Sequence, residues 1–206
     1  RNGAILNNSR TDAQTQLGGW VQGNPWLATG EARVILLEVN SQNPSHINGF
    51  IEIAGQRSEI IVANPAGLTV NGSGFINASR ATLTTGEVNL HDAGVSGYTV
   101  RGGTITIGSQ GFDASLTDYT GILARAVSVN GPVRANQLNV VTGANQIEAD
   151  GPIWAARWRD HHCLENAASG RVPAPHSLQP PSQPRQKALP PEGRSPVPRP
   201  RRPLSW

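Results

Sequence analysis

Residues 59–86 read EIIVANPAGLTVNGSGFINASRATLTTG. In this stretch, short runs of aliphatic and β-branched residues alternate with polar ones, and Asn, Pro or Gly separates the runs. The pattern is typical of short β-strands joined by tight turns, and it continues through most of the first 150 residues. Residues 30–40 have a weak helical pattern, which we also interpret as strand. The sequence therefore predicts an all-β fold, with strands that include Phe50–Ile53, Glu59–Val62, Thr104–Ile107, Val127–Val129 and Leu138–Val140.

The turns distinguish between two all-β architectures, a sandwich and a parallel β-solenoid. Many turns contain a single Gly or Asn that bends the chain without reversing it, and two-residue hairpin turns between long strands are rare. Small polar residues also recur beside the aliphatic ones, which suits stacks of like residues on neighbouring coils; they include Asn77, Ser79, Thr82 and Thr84. Both features favour the solenoid, and at roughly 20 residues per coil residues 50–150 would form about five coils.

The composition changes sharply near residue 151. Residues 1–150 contain 20 of the 23 Gly, whereas residues 151–206 contain 12 of the 16 Pro. The first part carries 8 Arg and 11 acidic residues, a net charge of −3, and the second part has a net charge of +6. The basic pI therefore describes the second part and does not indicate a nucleic-acid partner for the first. We predict a folded domain at 1–150 and a disordered Pro/Arg-rich tail at 151–206, which a frameshift in the gene would explain.

Cysteine and leader signals are also informative. The only cysteine is Cys163, so the predicted domain uses neither disulfides nor thiolate ligands, and one His-His-Cys cluster is too little for a metal site. The chain has no Met, no basic-then-apolar signal segment and no apolar stretch of 18 residues. We interpret it as a fragment that starts inside the domain and lacks the strands that cap its first coil.

Residues 64–86 resemble the signature of the two-partner-secretion (TPS) domain of filamentous haemagglutinin-like adhesins and contact-dependent inhibition toxins. Residues 6–9, 23–27, 32–40 and 48–52 extend the resemblance, which covers roughly residues 1–150. It implies a right-handed parallel β-helix, that is, a single-stranded solenoid, of the type also called a haemagglutination activity domain. Such a domain directs secretion and has no catalytic role. It also implies a partner, the periplasmic domains of a dedicated outer-membrane transporter. The expected location is then the medium or the cell surface of a Gram-negative bacterium, reached through the periplasm.

Two Asn-Pro motifs are the hallmark of the family, and both have counterparts here. The first is Asn24-Pro25-Trp26-Leu27, in which Trp26 departs from the usual Asn, and the second is Asn64-Pro65-Ala66-Gly67-Leu68. Pro fixes its own φ and keeps the preceding residue extended, while an Asn side chain can bond its own backbone. We expect both motifs mainly to stabilise coil corners, with transporter contact as a second role. The candidate site residues are Asn24, Pro25, Leu27, Asn64, Pro65, Gly67 and Leu68.

Two other functions remain as alternatives, a carbohydrate-active β-helix lyase or hydrolase and a directly adhesive β-helix. An enzyme of this kind requires converging carboxylates, and a lyase also requires a basic residue beside them. The first 150 residues contain no Lys, and their acidic residues are spread along the chain without an Asp-x-Asp pair. We therefore expect no catalytic residues, cofactor, metal, nucleic acid or small-molecule substrate, and a monomer when the solenoid is capped.

Overall fold

The computed structural model describes residues 2–91 and 94–149. The predicted tail, with Cys163 and the neighbouring His pair, lies outside these residues. Within them the structure has no helix long and apolar enough to cross a bilayer. Its strands are β1 (Gly3–Asn8), β2 (Ala13–Thr15), β3 (Gly19–Val21), β4 (Val34–Glu38), β5 (Ser45–Ile47), β6 (Phe50–Gly55), β7 (Ser58–Ala63), β8 (Leu68–Val70), β9 (Ser73–Ile76), β10 (Ala78–Thr84), β11 (Glu87–His91), β12 (Gly94–Val100), β13 (Thr104–Ile107), β14 (Phe112–Ala114), β15 (Tyr119–Ala124), β16 (Ala126–Val129), β17 (Val133–Ala135), β18 (Leu138–Thr142) and β19 (Asn145–Glu148).

Three parallel sheets form the body of the fold. Sheet 1 has the order β1-β6-β9-β14-β17, sheet 2 the order β4-β7-β10-β15-β18, and sheet 3 the order β5-β8-β13-β16. Each coil places one strand in sheet 2, one in sheet 3 and one in sheet 1, and then returns to sheet 2 beside its previous strand. This is a parallel β-helix, so the prediction of a solenoid is confirmed, as are the strands predicted from the sequence.

The expected number of coils was too high. Residues 50–150 contain three complete coils, which begin at β7, β10 and β15, and parts of two others. The difference arises in the third coil, where β11 and β12 are inserted between its strands in sheets 2 and 3. The insertion lengthens that coil without adding a layer to the helix.

The interior of the β-helix is a stack of aliphatic side chains in register. One column in sheet 2 runs Leu37, Val62, Leu83, Ile122 and Val140, each paired with the next through the parallel ladders. All five belong to the same hydrophobic core. Because burial of each such side chain contributes about 1.5–3 kcal/mol, stacking of successive coils is the main source of stability.

A second core lies outside the helix. Strands β11, β12 and β19 form an antiparallel sheet that packs on the outer surface of sheet 2. Tyr98, Val100 and Ile147 from this outer sheet contact Ile61 and Leu123 of sheet 2. Neither this layer nor the antiparallel hairpin of β2 and β3 was predicted from the sequence.

Candidate functional site: the two asparagine–proline turns

The second Asn-Pro motif forms the corner between β7 and β8. Asn64 is 0% exposed, and its Oδ1 accepts a hydrogen bond from the Ala66 amide at 2.9 Å. The Gly67 amide donates to the Asn64 carbonyl at 3.0 Å, which closes the turn. The Asn64 Nδ2 donates to the Asn43 carbonyl at 3.0 Å and to Ser45 Oγ at 2.8 Å. This turn is therefore tied to the preceding coil by its own side chain.

The first motif lies between β3 and β4 and forms the same turn. The Trp26 amide donates to Asn24 Oδ1 at 3.0 Å, and the Leu27 amide donates to the Asn24 carbonyl at 3.3 Å. The Asn24 backbone amide donates to the Ser9 carbonyl at 2.7 Å. The contact from Asn24 Nδ2 to the Asn7 carbonyl is long, at 3.4 Å. This turn is thus attached to Ser9, the residue after β1, mainly through a backbone hydrogen bond.

The residues that follow each Asn differ in exposure. Both prolines are exposed. Each occupies a turn position that needs no backbone N–H donor, so proline is tolerated there. Leu68 is buried in the core, whereas Leu27 is only partly buried. Trp26 is 90% exposed, the highest value among the exposed large hydrophobic residues. The structure therefore places the site residues in two separate turns, one embedded in the helix and one at its surface.

Comparison with known proteins identifies this arrangement. A family profile described as the TPS secretion domain matches residues 1–177. The chain belongs to this family. The crystal structure of a filamentous hemagglutinin secretion domain superposes on the TPS domain with a TM-score of 0.65 and 36% identity, over 70% of this chain and 50% of the other.

Curated relatives are much longer than this chain. Toxin CdiA of Yersinia pestis is 54% identical over 147 residues, which are 71% of this chain and 4% of that protein. The tRNA nuclease CdiA-2 of Burkholderia pseudomallei is 48% identical over 148 residues, 71% of this chain and 5% of the relative. The tRNA nuclease CdiA of an Escherichia coli strain is 44% identical over 160 residues, 76% of this chain and 5% of the relative. The chain thus spans about a twentieth of each of these proteins.

Glu52, in β6 of sheet 1, attaches the hairpin of β2 and β3 to the β-helix. Both carboxylate oxygens accept backbone hydrogen bonds, from the Gln16 amide at 2.7 Å and the Leu17 amide at 2.8 Å. Glu52 is only 3% exposed, and charge-assisted bonds of this kind compensate the burial of a carboxylate. In the sequence Glu52 is one of several scattered acids, and the 35 and 36 positions that separate it from its two amide donors leave no local signal of this contact.

Glu59 lies in a column of polar side chains at the margin of the second core. Arg80 Nη1 is 3.9 Å from Glu59 Oε1, and the Arg80 guanidinium lies 5.3 Å from the centre of the Tyr119 ring. Burial raises the pKa of Glu59 above its ordinary value, and the Arg80 charge opposes this rise. Burial, followed by the charge of Glu59, raises the pKa of Tyr98 to about 12. Glu59 is therefore close enough to the outer sheet for its charge to act on Tyr98 of β12.

The other acidic side chains of the TPS domain do not converge. Asp118 pairs with Arg57 at 3.0 Å, and Glu87 pairs with Arg101 at 3.0 Å, with all four side chains well exposed. In the part of the chain that the structure describes, no group of three His, Cys, Asp or Glu residues is placed to hold a metal ion. Among the described acids, Glu52 therefore anchors the hairpin, and Asp118 and Glu87 form surface ion pairs.

Proposed function

We propose that this TPS domain directs a large exported protein to its outer-membrane transporter, and that the transporter's periplasmic domains recognise the first Asn-Pro turn. The observation that carries the proposal is Trp26, a large aromatic side chain held 90% exposed on a hydrogen-bonded turn. A Trp on a rigid turn offers a wide apolar contact at little conformational cost, and Trp is the residue type most enriched at binding hot spots.

The second turn has a different role in this proposal. Asn64 is buried and already uses its Oδ1 and its Nδ2 within the protein. A partner could contact this side chain only after the corner had opened. We therefore assign Asn64, Gly67 and Leu68 to stabilisation of the coil, while the exposed Pro65 is available at the surface.

The route and the other expected properties belong to the same proposal. The protein crosses the periplasm, reaches the medium or the cell surface of a Gram-negative bacterium, and acts in secretion without catalysis, a cofactor or nucleic acid. The carbohydrate-enzyme alternative has little support, because Glu52 is occupied by two backbone amides and the ion-paired acids are spread over the surface. The adhesive alternative is not favoured, because both the family profile and the solved structure that match this chain are those of secretion domains.

A secretion assay tests the proposal. The full chain, fused to a cleavable signal peptide, is co-expressed with a TPS transporter, and the secreted fraction is measured. The variant Trp26→Ala should reduce this fraction at least about tenfold, since truncation of a hot-spot Trp typically costs more than 2 kcal/mol of binding energy. Its unfolding free energy should stay unchanged because the side chain packs against little.

Trp20 is the matched control for this assay. It lies in β3, is 74% exposed, and is outside both motifs. The variant Trp20→Ala should be secreted like the wild type. Retention of the wild-type chain in the periplasm would refute the secretion function, whereas equal loss in both Trp variants would refute only recognition by the first turn.

A further inference from the structure

Three Asn-Gly pairs occupy the same corner, between sheet 3 and sheet 1, in the first, second and fourth coils. They are Asn48-Gly49, Asn71-Gly72 and Asn130-Gly131. The Asn71 amide donates to the Ile47 carbonyl at 2.9 Å, and the Asn130 amide donates to the Ile107 carbonyl at 2.8 Å. These bonds continue the parallel ladders of sheet 3 into the corner. The pairs are therefore structural equivalents, and their surroundings can be compared directly.

Close packing requires glycine at this corner. A Cβ on Gly49 would lie 2.6 Å from the Asn2 carbonyl oxygen, and a Cβ on Gly131 would lie 2.3 Å from the Gly108 carbonyl oxygen. Both partners are backbone atoms that cannot move aside without disturbing the ladder. The fold thus places glycine directly after an asparagine at these positions.

An Asn followed by Gly is prone to a reaction of its own backbone. The glycine amide nitrogen, which no side chain shields, attacks the Asn Cγ and forms a C–N bond. The Cγ–Nδ2 bond then breaks, and ammonia leaves with the proton that the attacking amide has lost. Water opens the resulting succinimide at either carbonyl, which gives aspartate or its main-chain isomer, isoaspartate. The reaction therefore needs no reagent other than water.

We propose that Asn48 and Asn130 are sites of spontaneous deamidation in the folded TPS domain, whereas the fold protects Asn71. The Gly72 amide, which would be the nucleophile, donates to the Gly111 carbonyl at 2.8 Å. The Asn71 Oδ1 accepts a bond from the Gln110 amide at 2.9 Å. Both bonds must break before the nitrogen can reach Cγ.

The other two pairs lack these restraints. The Asn48 and Asn130 side chains are exposed, and within residues 2–91 and 94–149 neither makes a side-chain hydrogen bond. Among the same residues, the amides of Gly49 and Gly131 donate to no backbone carbonyl. Each conversion adds one negative charge to the corner, and isoaspartate also lengthens the main chain where it must match the neighbouring coil.

Peptide mapping by mass spectrometry tests the proposal on the full chain, incubated folded in mildly alkaline buffer. Asn48 and Asn130 should each convert at least about tenfold faster than Asn71, because two hydrogen bonds must be broken only at Asn71. The same chain unfolded in urea is the control, and its three rates should converge. The variant Asn130→Ser should lose the signal of its own peptide while the Asn48 signal remains.

Two results would overturn the inference. One is conversion of Asn71 in the folded chain at the rate of the other two sites. The other is an absence of conversion at Asn48 and Asn130 in the folded chain under conditions where the unfolded chain reacts.

Discussion

The two Asn-Pro turns have the same internal hydrogen bonds but different surroundings. In each, the Asn Oδ1 accepts the amide two residues later and the Asn carbonyl accepts the amide three residues later. Asn64 adds two bonds from Nδ2 and is buried, whereas Asn24 adds one long bond and remains partly exposed. The dipeptide therefore determines the shape of the turn, and the neighbouring coil determines whether the turn stabilises the fold or presents a surface.

The largest difference between the turns should appear when each Asn is truncated. Asn64→Ala removes three side-chain hydrogen bonds made by a buried residue, so we expect a loss of about 3–4 kcal/mol in unfolding free energy. Asn24→Ala should cost only about 1 kcal/mol, because its turn is closed mainly by backbone bonds. Urea denaturation of the full chain measures both values. Equal losses of unfolding free energy in the two variants would mean that the different surroundings of the two turns do not affect their contribution to stability.

A second comparison uses two glycines with positive φ, Gly67 within the buried motif and Gly30 shortly after the exposed one. Gly67 has φ +126° in the buried turn, and an added Cβ would meet the Thr104 carbonyl oxygen at 3.0 Å. Gly30, after the exposed turn, has φ +117° and open space around the same position. Gly67→Ala should cost about 2–3 kcal/mol and Gly30→Ala about 1 kcal/mol, because only the first adds a backbone contact to the strain. Thermal and urea denaturation would detect the difference, and a costlier Gly30→Ala would contradict it.

The effect of pH should act through the strand that leads into the buried turn. Glu59 lies in β7, and burial raises its pKa in the folded state above 4.5. A raised folded pKa gives stability that is present below the unfolded pKa and is lost as the pH rises through the folded value. The unfolding free energy of Glu59→Gln relative to wild type should therefore increase from acidic to neutral pH. Urea denaturation at several pH values measures this difference, and a difference that stays constant with pH would contradict the prediction.

The smallest effect should be common to both turns. Pro25 and Pro65 are both exposed, and each stabilises the protein chiefly by restricting the unfolded chain. Pro25→Ala and Pro65→Ala should each lower the unfolding free energy by about 0.4–1 kcal/mol, and by the same amount within error. A markedly larger loss for Pro65→Ala in urea denaturation would show that the ring itself supports the buried corner.

Local sequence patterns predicted the strands that pair with the equivalent strands of neighbouring coils. Residues 34–38, 59–62 and 104–107 are strands because alternating side chains face the interior and the outside. The corner residues were found for the same reason, since Asn, Pro and Gly make turns through their own backbone and side-chain chemistry. These features depend on residues a few positions apart.

The antiparallel additions could not be predicted in this way. Strand β12 is amphipathic like the helix strands, but it pairs with β19, and Tyr98 lies opposite Ile147. The hairpin of β2 and β3 depends on Glu52, whose role becomes clear only when the backbone amides of Gln16 and Leu17 are brought to it. The available signal was the length of the third coil, in which the residues between Gly86 and Gly102 are inserted between its strands in sheets 2 and 3.

The pairing of β12 with β19 affects how the fold can come apart. In a simple solenoid each coil touches only its neighbours, so coils can fray from an end one at a time. Here β12 is inserted in the third coil, whereas β19 follows β18, which is the first strand after the fourth coil. The outer sheet pairs β12 with β19 and so links these two parts of the chain across the fourth coil. Unfolding of β19 therefore also exposes Tyr98 and its apolar neighbours, so that coils which are not adjacent unfold in a concerted way.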